Sequence, residues 1–420
     1  MKIWLVSIGE PLPIDEGERR ILRTGMIAEI LCERGHDVTF WGSTLDHVRK
    51  KVRASATTER QIPGGYKVVL LHGRPYRKSV SIRRVIHNRG IAVEFRKKAR
   101  REELPDVILS CMPPIEISLE AVKFGVENNV PVALDIRDMW PDIFLDVGPD
   151  WFRPIARLML EPVYRQFSEA VRDASSVLGI TQAMIEWASG TANRRVREGD
   201  RAFFHAYKRR TIDEPRLEEA RDYWASCGIH GNEKQFIASF IGSLSNRLEL
   251  RTLIKAAQAI GPQYRDKIRI VICGSGNDQK NLEAEAAGLP HVQFAGWIDR
   301  FKIEALLERS SIGLLPYPSS RDFIRSIPNK VGEYLSRGVP ILSSVQGVSE
   351  ELIGKGHCGK TYPNNDHDAL AQLLIQLSED GERVSAMSKN AATVFDKYLD
   401  ADKVYGEFCD YLEGLALSRR

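Results

Sequence analysis

Lys330 and Glu333 lie three positions apart in the run IPNKVGEYLSRGVPILSS, residues 327–344. Pro328 fixes a turn, and Val331, Tyr334 and Leu335 fall on one inward face. The spacing predicts a helix that starts near Lys330, ends at Arg337-Gly338 and leads into a strand. A lysine at a helix start neutralises a diphosphate. A carboxylate in the same helix can accept two hydrogen bonds from a vicinal diol such as a ribose. The same spacing also fits a surface lysine and a solvated glutamate, so it leaves both readings open.

Three other patterns point to chemistry that their contexts do not support. Gly354 to Thr361 (GKGHCGKT) has the form of a phosphate-binding loop, which should follow a strand and open a helix. Here Glu350 to Ile353 reads as helix, and Tyr362-Pro363-Asn364-Asn365 cannot open one. Gly274-Ser275-Gly276 follows a strand and precedes a helix, a place where an anion can sit. Gln279 stands where a dinucleotide fingerprint needs its third glycine, so a dehydrogenase is a weak reading. Trp140-Pro141-Asp142 resembles the acid loop of tyrosine phosphatases. Those enzymes need a cysteine followed by an arginine six positions on, and none of the six cysteines here has one.

The elements that must position these residues alternate along the chain. Lys2–Ser7 reads as a strand, Glu18–Arg34 as a helix stopped by Gly35, and Val38–Trp41 as the next strand. This is a β-α-β unit with parallel strands. Strand-like runs follow at 67–71, 106–110, 132–136 and 176–180, with helical stretches between most of them. A polar stretch from about Arg194 to Glu233 has few strand-like runs and reads as a connection carrying an extra helix. The alternation then restarts, with strands at 235–241, 267–273, 292–295, 312–316 and 340–343. Helices over about 366–377 and 401–415 finish the chain. The expected fold is α/β, with two Rossmann-like doubly wound domains facing across a cleft. The expected boundaries are 1–205, a connection at 206–233, a second domain at 234–395, and a final helix at 396–420 that crosses back to the first domain. Ligands in such sheets bind at the carboxyl ends of the strands.

Composition sets limits on function. A chain of 420 residues is long for one domain. A net charge of +4 gives no global case for nucleic acid. The six scattered cysteines contain no C-x-x-C pair, which excludes the usual zinc frameworks and fits single buried thiols in a reducing compartment. No signal peptide or membrane span is visible, so the expected place is cytoplasmic. Between Arg74 and Arg101 basic residues dominate, with Glu94 as the only acid. That stretch is either a solvated helix face or a surface for anionic partners at the inner face of the cell membrane.

The run at 327–344 resembles the C-terminal signature of glycosyltransferase family 4, retaining enzymes of the GT-B fold, through Lys330, Glu333, Tyr334, Gly338 and Pro340. The resemblance extends over nearly the whole chain. It includes Gly35-His36-Asp37-Val38, Phe240 to Leu244, Ile272 to Gly276, and the segment Gly359 to Pro363, which it implies is a short strand. Asp135-Ile136-Arg137-Asp138-Met139-Trp140-Pro141 resembles a segment of transferases that build bacterial surface polysaccharides. The resemblance implies a nucleoside diphosphate sugar as donor. Gly242, Arg247, Gly274, Gly276, Arg325, Asn329, Lys330 and Glu333 would lie on its side. Gly17, Arg137 and Asp138 would lie on the side of a saccharide or lipid-linked acceptor. Asp138 would help remove the acceptor proton, while Arg137 reads slightly better as an ion-pair partner of Asp135 or Asp138.

The chain also departs from the family pattern. Arg325 stands where many members carry the first of two glutamates. Ser243 and Leu248 replace an arginine and a lysine, and Arg247 is the nearest substitute. The implied reaction transfers a sugar to an acceptor hydroxyl with retained configuration. It has no protein nucleophile, no obligatory metal and no cofactor, and cleft closure aligns the reactants. The alternatives are a non-catalytic GT-B-like binding or partner subunit, and a sugar-nucleotide epimerase of the same fold.

Overall fold

The computed structural model describes every residue except 16–20, 63–64, 79–80, 147, 210–212, 232–234 and 419–420. The chain forms two compact units. The first comprises Met1–Phe204 with Asp402–Arg420, and the second is His205–Ala401.

In the first unit, eight strands form one sheet: β1 (Lys2–Val6), β2 (Asp37–Ser43), β3 (Thr58–Gln61), β4 (Lys67–Leu71), β5 (Val107–Met112), β6 (Val132–Ile136), β7 (Ser176–Gly179) and β8 (Arg201–Ala202). Their order is β3-β4-β2-β1-β5-β6-β7-β8. All pairings are parallel except β3 against β4. The strand order reverses between β1 and β5, the switch point of a doubly wound sheet. Both β5 and β6 are buried along their whole length, as expected for strands covered on both faces. Above β1 and β2, Trp4 and Trp41 meet edge to face at 4.9 Å, and Phe95 and Phe124 complete the cluster. Each such ring pair adds about 0.5–1.5 kcal/mol beyond the area it buries.

The helix Ala401–Leu417 lies almost wholly in this unit. Phe408 packs on Phe203 at 4.5 Å, and Arg34 reaches Asp410 and Glu413 at 2.7 and 2.9 Å. The first helix covers Arg23–Glu33, beginning later than the apolar spacing suggests.

The second unit holds β9 (Phe236–Ile241), β10 (Ile268–Cys273), β11 (Val292–Gly296), β12 (Ile312–Leu315), β13 (Ile341–Ser343) and β14 (Gly359–Thr361). They are ordered β11-β10-β9-β12-β13-β14, all parallel. This is the same winding, with its switch point between β9 and β12. Of the polar stretch expected as a connection, the part from His205 onward belongs to this unit, and its helix contributes to the core. Within helix Glu214–Ser226, Trp224 is fully buried and its indole N–H donates to the Lys302 carbonyl at 2.7 Å. A further helix, Gly381–Tyr398, fills a gap in the sequence reading. The false phosphate loop runs from helix Val348–Lys355 into strand β14, the reverse of what a phosphate loop needs.

Candidate functional site

In the second unit, Tyr334 fixes the helix Asn329–Leu335 beneath the carboxyl ends of the strands. Its buried hydroxyl accepts from the Ile241 amide at 3.1 Å and lies 3.2 Å from the Ser239 carbonyl. Glu333 is 5% exposed, and its Oε2 accepts from Lys330 Nζ at 2.5 Å. The two residues read from the sequence as separate ligands are therefore bonded to each other. Their charges reach the neighbouring strand ends. Burial pushes the Cys273 thiol up to about 12, and Lys330 acts against that shift. Burial and then Glu333 push the Tyr317 phenol up to about 12.

The glycines beside this pair serve close backbone approach. Gly274 has φ +135, and a Cβ there would stand 1.7 Å from the Gly242 carbonyl oxygen. A Cβ on Gly276 would stand 2.1 Å from the Leu244 oxygen. The loops after β9 and β10 are thus tied together, with Leu244 N–H donating to Ser275 O and Asp278 N–H to Leu244 O, each at 3.0 Å. The helix start after Gly276 is an acidic position, not an open anion seat. Asp278 precedes helix Gln279–Glu285, and its carboxylate accepts from Arg251 at 2.8 and 3.1 Å and from Asn281 at 2.8 Å.

Of the remaining residues expected here, Arg247 is 66% exposed and lies 3.7 Å from Asp322. Arg325 ends the turn Phe323–Arg325 and donates to the Arg321 carbonyl at 3.1 Å. Asn329 is exposed at the first position of its helix.

In the first unit, β6 ends in a buried ion network. Asp135 is fully buried, and its two oxygens accept from Arg23 at 3.0 Å and from Arg137 at 2.7 Å. Arg137 also pairs with Glu10 and donates to Thr24 Oγ1 at 2.8 Å. The Thr24 hydroxyl donates in turn to Glu10 at 2.6 Å. Arg137 is thus an ion-pair partner of Asp135. Glu10, Arg23 and Thr24 were not singled out in the sequence, because no local spacing ties them to β6.

Asp138, next in the chain, is half-buried, and its Oδ1 accepts from the Met139 amide at 2.8 Å. The adjoining Asp142 is fixed by the Tyr164 hydroxyl at 2.5 Å and the Trp187 indole at 2.9 Å. Gly17 lies outside the described residues.

The basic stretch forms helix Ile82–Ala99 and the residues around it. Carboxylates outside the stretch pair with three of its cations: Arg96 with Glu120, Lys98 with Glu59 and Glu102, and Arg100 with Glu127. Among the described residues, no helix is long and apolar enough to cross a membrane. None of the six cysteines is bridged.

Residues 228–394 match the family model of glycosyl transferases group 1. The amylovoran biosynthesis glycosyltransferase AmsK of Erwinia amylovora is 30% identical over 131 residues, which is 30% of this chain and 31% of that protein. The chain spans about a third of the length of the curated relatives it matches. Whole-chain similarity appears in solved structures. The sucrose-phosphate synthase of Thermosynechococcus elongatus superposes with a TM-score of 0.72 at 14% identity, covering 99% of both chains. HepE of Anabaena, solved with UDP, superposes with a TM-score of 0.65 at 14% identity, covering 98% of this chain and 99% of its own. At this identity the likeness speaks for the fold alone. Taken with the strand order of its two units, the structural likeness gives the chain a GT-B fold, and residues 228–394 are similar to the glycosyl transferases group 1 domain.

Proposed function

We propose that the protein is a retaining glycosyltransferase that moves a sugar from a nucleoside diphosphate sugar to an acceptor hydroxyl in the assembly of a bacterial polysaccharide or glycolipid. The observation that carries this reading is the Lys330–Glu333 pair, held by Tyr334 at the carboxyl end of β9 inside the matched domain. Nucleotide would enter against Glu333, whose second oxygen and exchanged Lys330 bond serve the ribose diol. Lys330 would then turn to the diphosphate, with exposed Arg247 as a second cation and Arg325 and Asn329 at the rim.

Charge grows on the leaving diphosphate as the glycosidic bond breaks, so cations placed there favour the transition state over the ground state. No protein nucleophile is assigned, and the leaving phosphate oxygen would take the acceptor proton. Asp138 would orient the acceptor hydroxyl from the first unit, on a backbone braced by the Asp135–Arg137 pair. The protein is proposed to work at the cytoplasmic side, without a resident metal. Related polysaccharide enzymes support the acceptor class; the AmsK name specifies amylovoran biosynthesis.

The test is release of nucleoside diphosphate from a panel of nucleotide sugars, with calorimetric binding of each nucleotide. Tight binding to one nucleotide is expected, lost in Glu333→Ala and Lys330→Ala. Variants that bind as well as the parent protein refute the assignment. Nuclear magnetic resonance of the product reads the anomeric configuration, and inversion refutes the retaining mechanism.

A further inference from the structure

A second cluster of ionisable groups lies at the carboxyl edge of the first sheet, and the network around Asp135 does not include it. His47 and Lys50 come from the loop after β2, Tyr76 from the loop after β4, and Arg84 from the first turn of helix Ile82–Ala99. His47 Nδ1 is hydrogen-bonded to the Tyr76 hydroxyl, and Lys50 Nζ lies 3.4 Å from that nitrogen and 4.8 Å from the Tyr76 ring centre. Tyr76 also packs edge to face on His87 at 5.0 Å. The Arg84 guanidinium stacks on Trp140 at 4.5 Å, two residues beyond Asp138, so its plane is fixed in advance.

This grouping costs the fold free energy. Burial, then Arg84 and Lys50, push the His47 imidazole down to about 4. Burial, then Arg84, lower Lys50, and burial also lowers Arg84. Asp46 acts against the shifts of His47 and Lys50, and Glu116 and Asp138 act against that of Arg84, but the lowering contributions prevail in each case. Like charges gathered at a ligand-binding edge mark a functional site better than a structural one. Ammonium and phenol groups in contact with each other, and a guanidinium whose charge acts on both, come from three segments and match a tetrahedral oxyanion, which accepts from several directions at once.

We propose that His47, Lys50, Tyr76 and Arg84 form a subsite for a phosphate group carried by the acceptor. The inference rests on the transferase reading above, in that it places a phosphorylated acceptor beside Asp138. A phosphate on a water-soluble sugar and one in a lipid headgroup offer the same oxygens. Ile82 is 80% exposed and Ile86 is 44% exposed on the outer face of the same helix, which gives a lipid-borne phosphate an adjoining apolar seat.

The experiment is calorimetric titration of the full chain with pyrophosphate, comparing Arg84→Gln, Lys50→Met, Tyr76→Phe and Lys330→Met, each checked by thermal melting. Binding should persist in Lys330→Met and weaken about tenfold in Arg84→Gln and Lys50→Met. The conservative Tyr76→Phe keeps the packing and should weaken binding several-fold. The His47 resonance should titrate at higher pH once the anion is bound, since a nearby negative charge favours the imidazolium. Parental affinity in Arg84→Gln and Lys50→Met overturns the proposal, as does loss of all binding in Lys330→Met alone. Failure of the donor reading shows separately, as unchanged nucleotide binding in Lys330→Met. Glycerol phosphate and phosphatidic acid vesicles distinguish the two sources. Arg84-dependent capture of either supports the subsite, and capture of neither overturns it.

Discussion

Replacing Asp135 by asparagine tests the buried network with almost no change of shape. The side chains of Arg23 and Asp135 are 1% and 0% exposed, and Asp135 joins two guanidinium groups. With Glu10 included, the four charges sum to zero. The amide removes one of them and turns an NH2 group towards a guanidinium that also only donates. Arg23 cannot swing out to water. It donates to the Phe203 and Phe204 carbonyls at 2.6 and 3.1 Å and lies over the Phe408 ring at 4.9 Å. An uncompensated buried charge of this kind costs about 3–5 kcal/mol. In a unit of this size, each kcal/mol lowers the midpoint by roughly 2–4 °C, which puts the expected loss at roughly 6–20 °C. Scanning calorimetry should show the first unit's transition moving down and the second unit's staying in place. Adding Arg23→Met restores neutrality, so the double variant should be less destabilised than the sum of the two singles, by about 0.5–3 kcal/mol. A fall below about 2 °C in Asp135→Asn, or strict additivity, would refute the claim that this network holds its charges by mutual compensation.

Other predictions concern both units. Gly276→Ala pushes a Cβ to 2.1 Å from the Leu244 oxygen; chemical denaturation should show a loss of about 1–3 kcal/mol in the second unit, together with weaker nucleotide binding. Glu333→Gln keeps the size but gives up the charged partner of Lys330, and calorimetry should show nucleotide affinity falling tenfold or more, about 1.5–3 kcal/mol. The half-buried His47, facing Arg84, Lys50, His87 and Asp46, is pushed down from 6.5 to about 4, chiefly by burial. Its neutral form is favoured in the fold, so its stability contribution is present above 6.5 and is lost as pH falls towards 4. Melting midpoints across that window should fall less steeply in His47→Gln than in the parent protein. Under the proposed metal-free mechanism, transfer measured after exhaustive chelation should run at the untreated rate; a rate restored only by added divalent metal would contradict that proposal.

The alternation of strands and helices was legible because parallel strands buried on both faces read as unbroken apolar runs. Phe236–Ile241 and Val107–Met112 are the clearest cases. Strand β3, Thr58–Gln61, was not legible: TERQ lies at an edge, mostly exposed, and carries no apolar signal. Helix Glu214–Ser226 was read as a connection because it buries little more than Leu217, Ala220 and Trp224 under a charged exterior. On the donor side, the run around Lys330 marked its own helix, but spacing alone could not reveal that Lys330 and Glu333 bond to each other. Arg23 meets Asp135, and Glu10 meets Arg137, only through the winding of the sheet, each across more than a hundred residues. The carboxylates facing the basic helix were hidden for the same reason.

The helix that begins near Ala401 has a consequence for biosynthesis. It supplies Phe408 and Tyr405 to the guanidinium of Arg23, and the Cys409 thiol approaches the Ile27 carbonyl at 3.9 Å. The ribosome makes this helix only after the whole of the second unit, His205–Ala401. At about 5–20 residues per second, roughly 200 intervening residues impose a wait of about 10–40 s. During that interval the nascent first unit holds Arg23 without its aromatic cover and leaves apolar surface open to solvent. The second unit is contiguous and can finish folding first. Translation speed and chaperone supply over that interval should therefore govern yield more than the stability of the finished protein does.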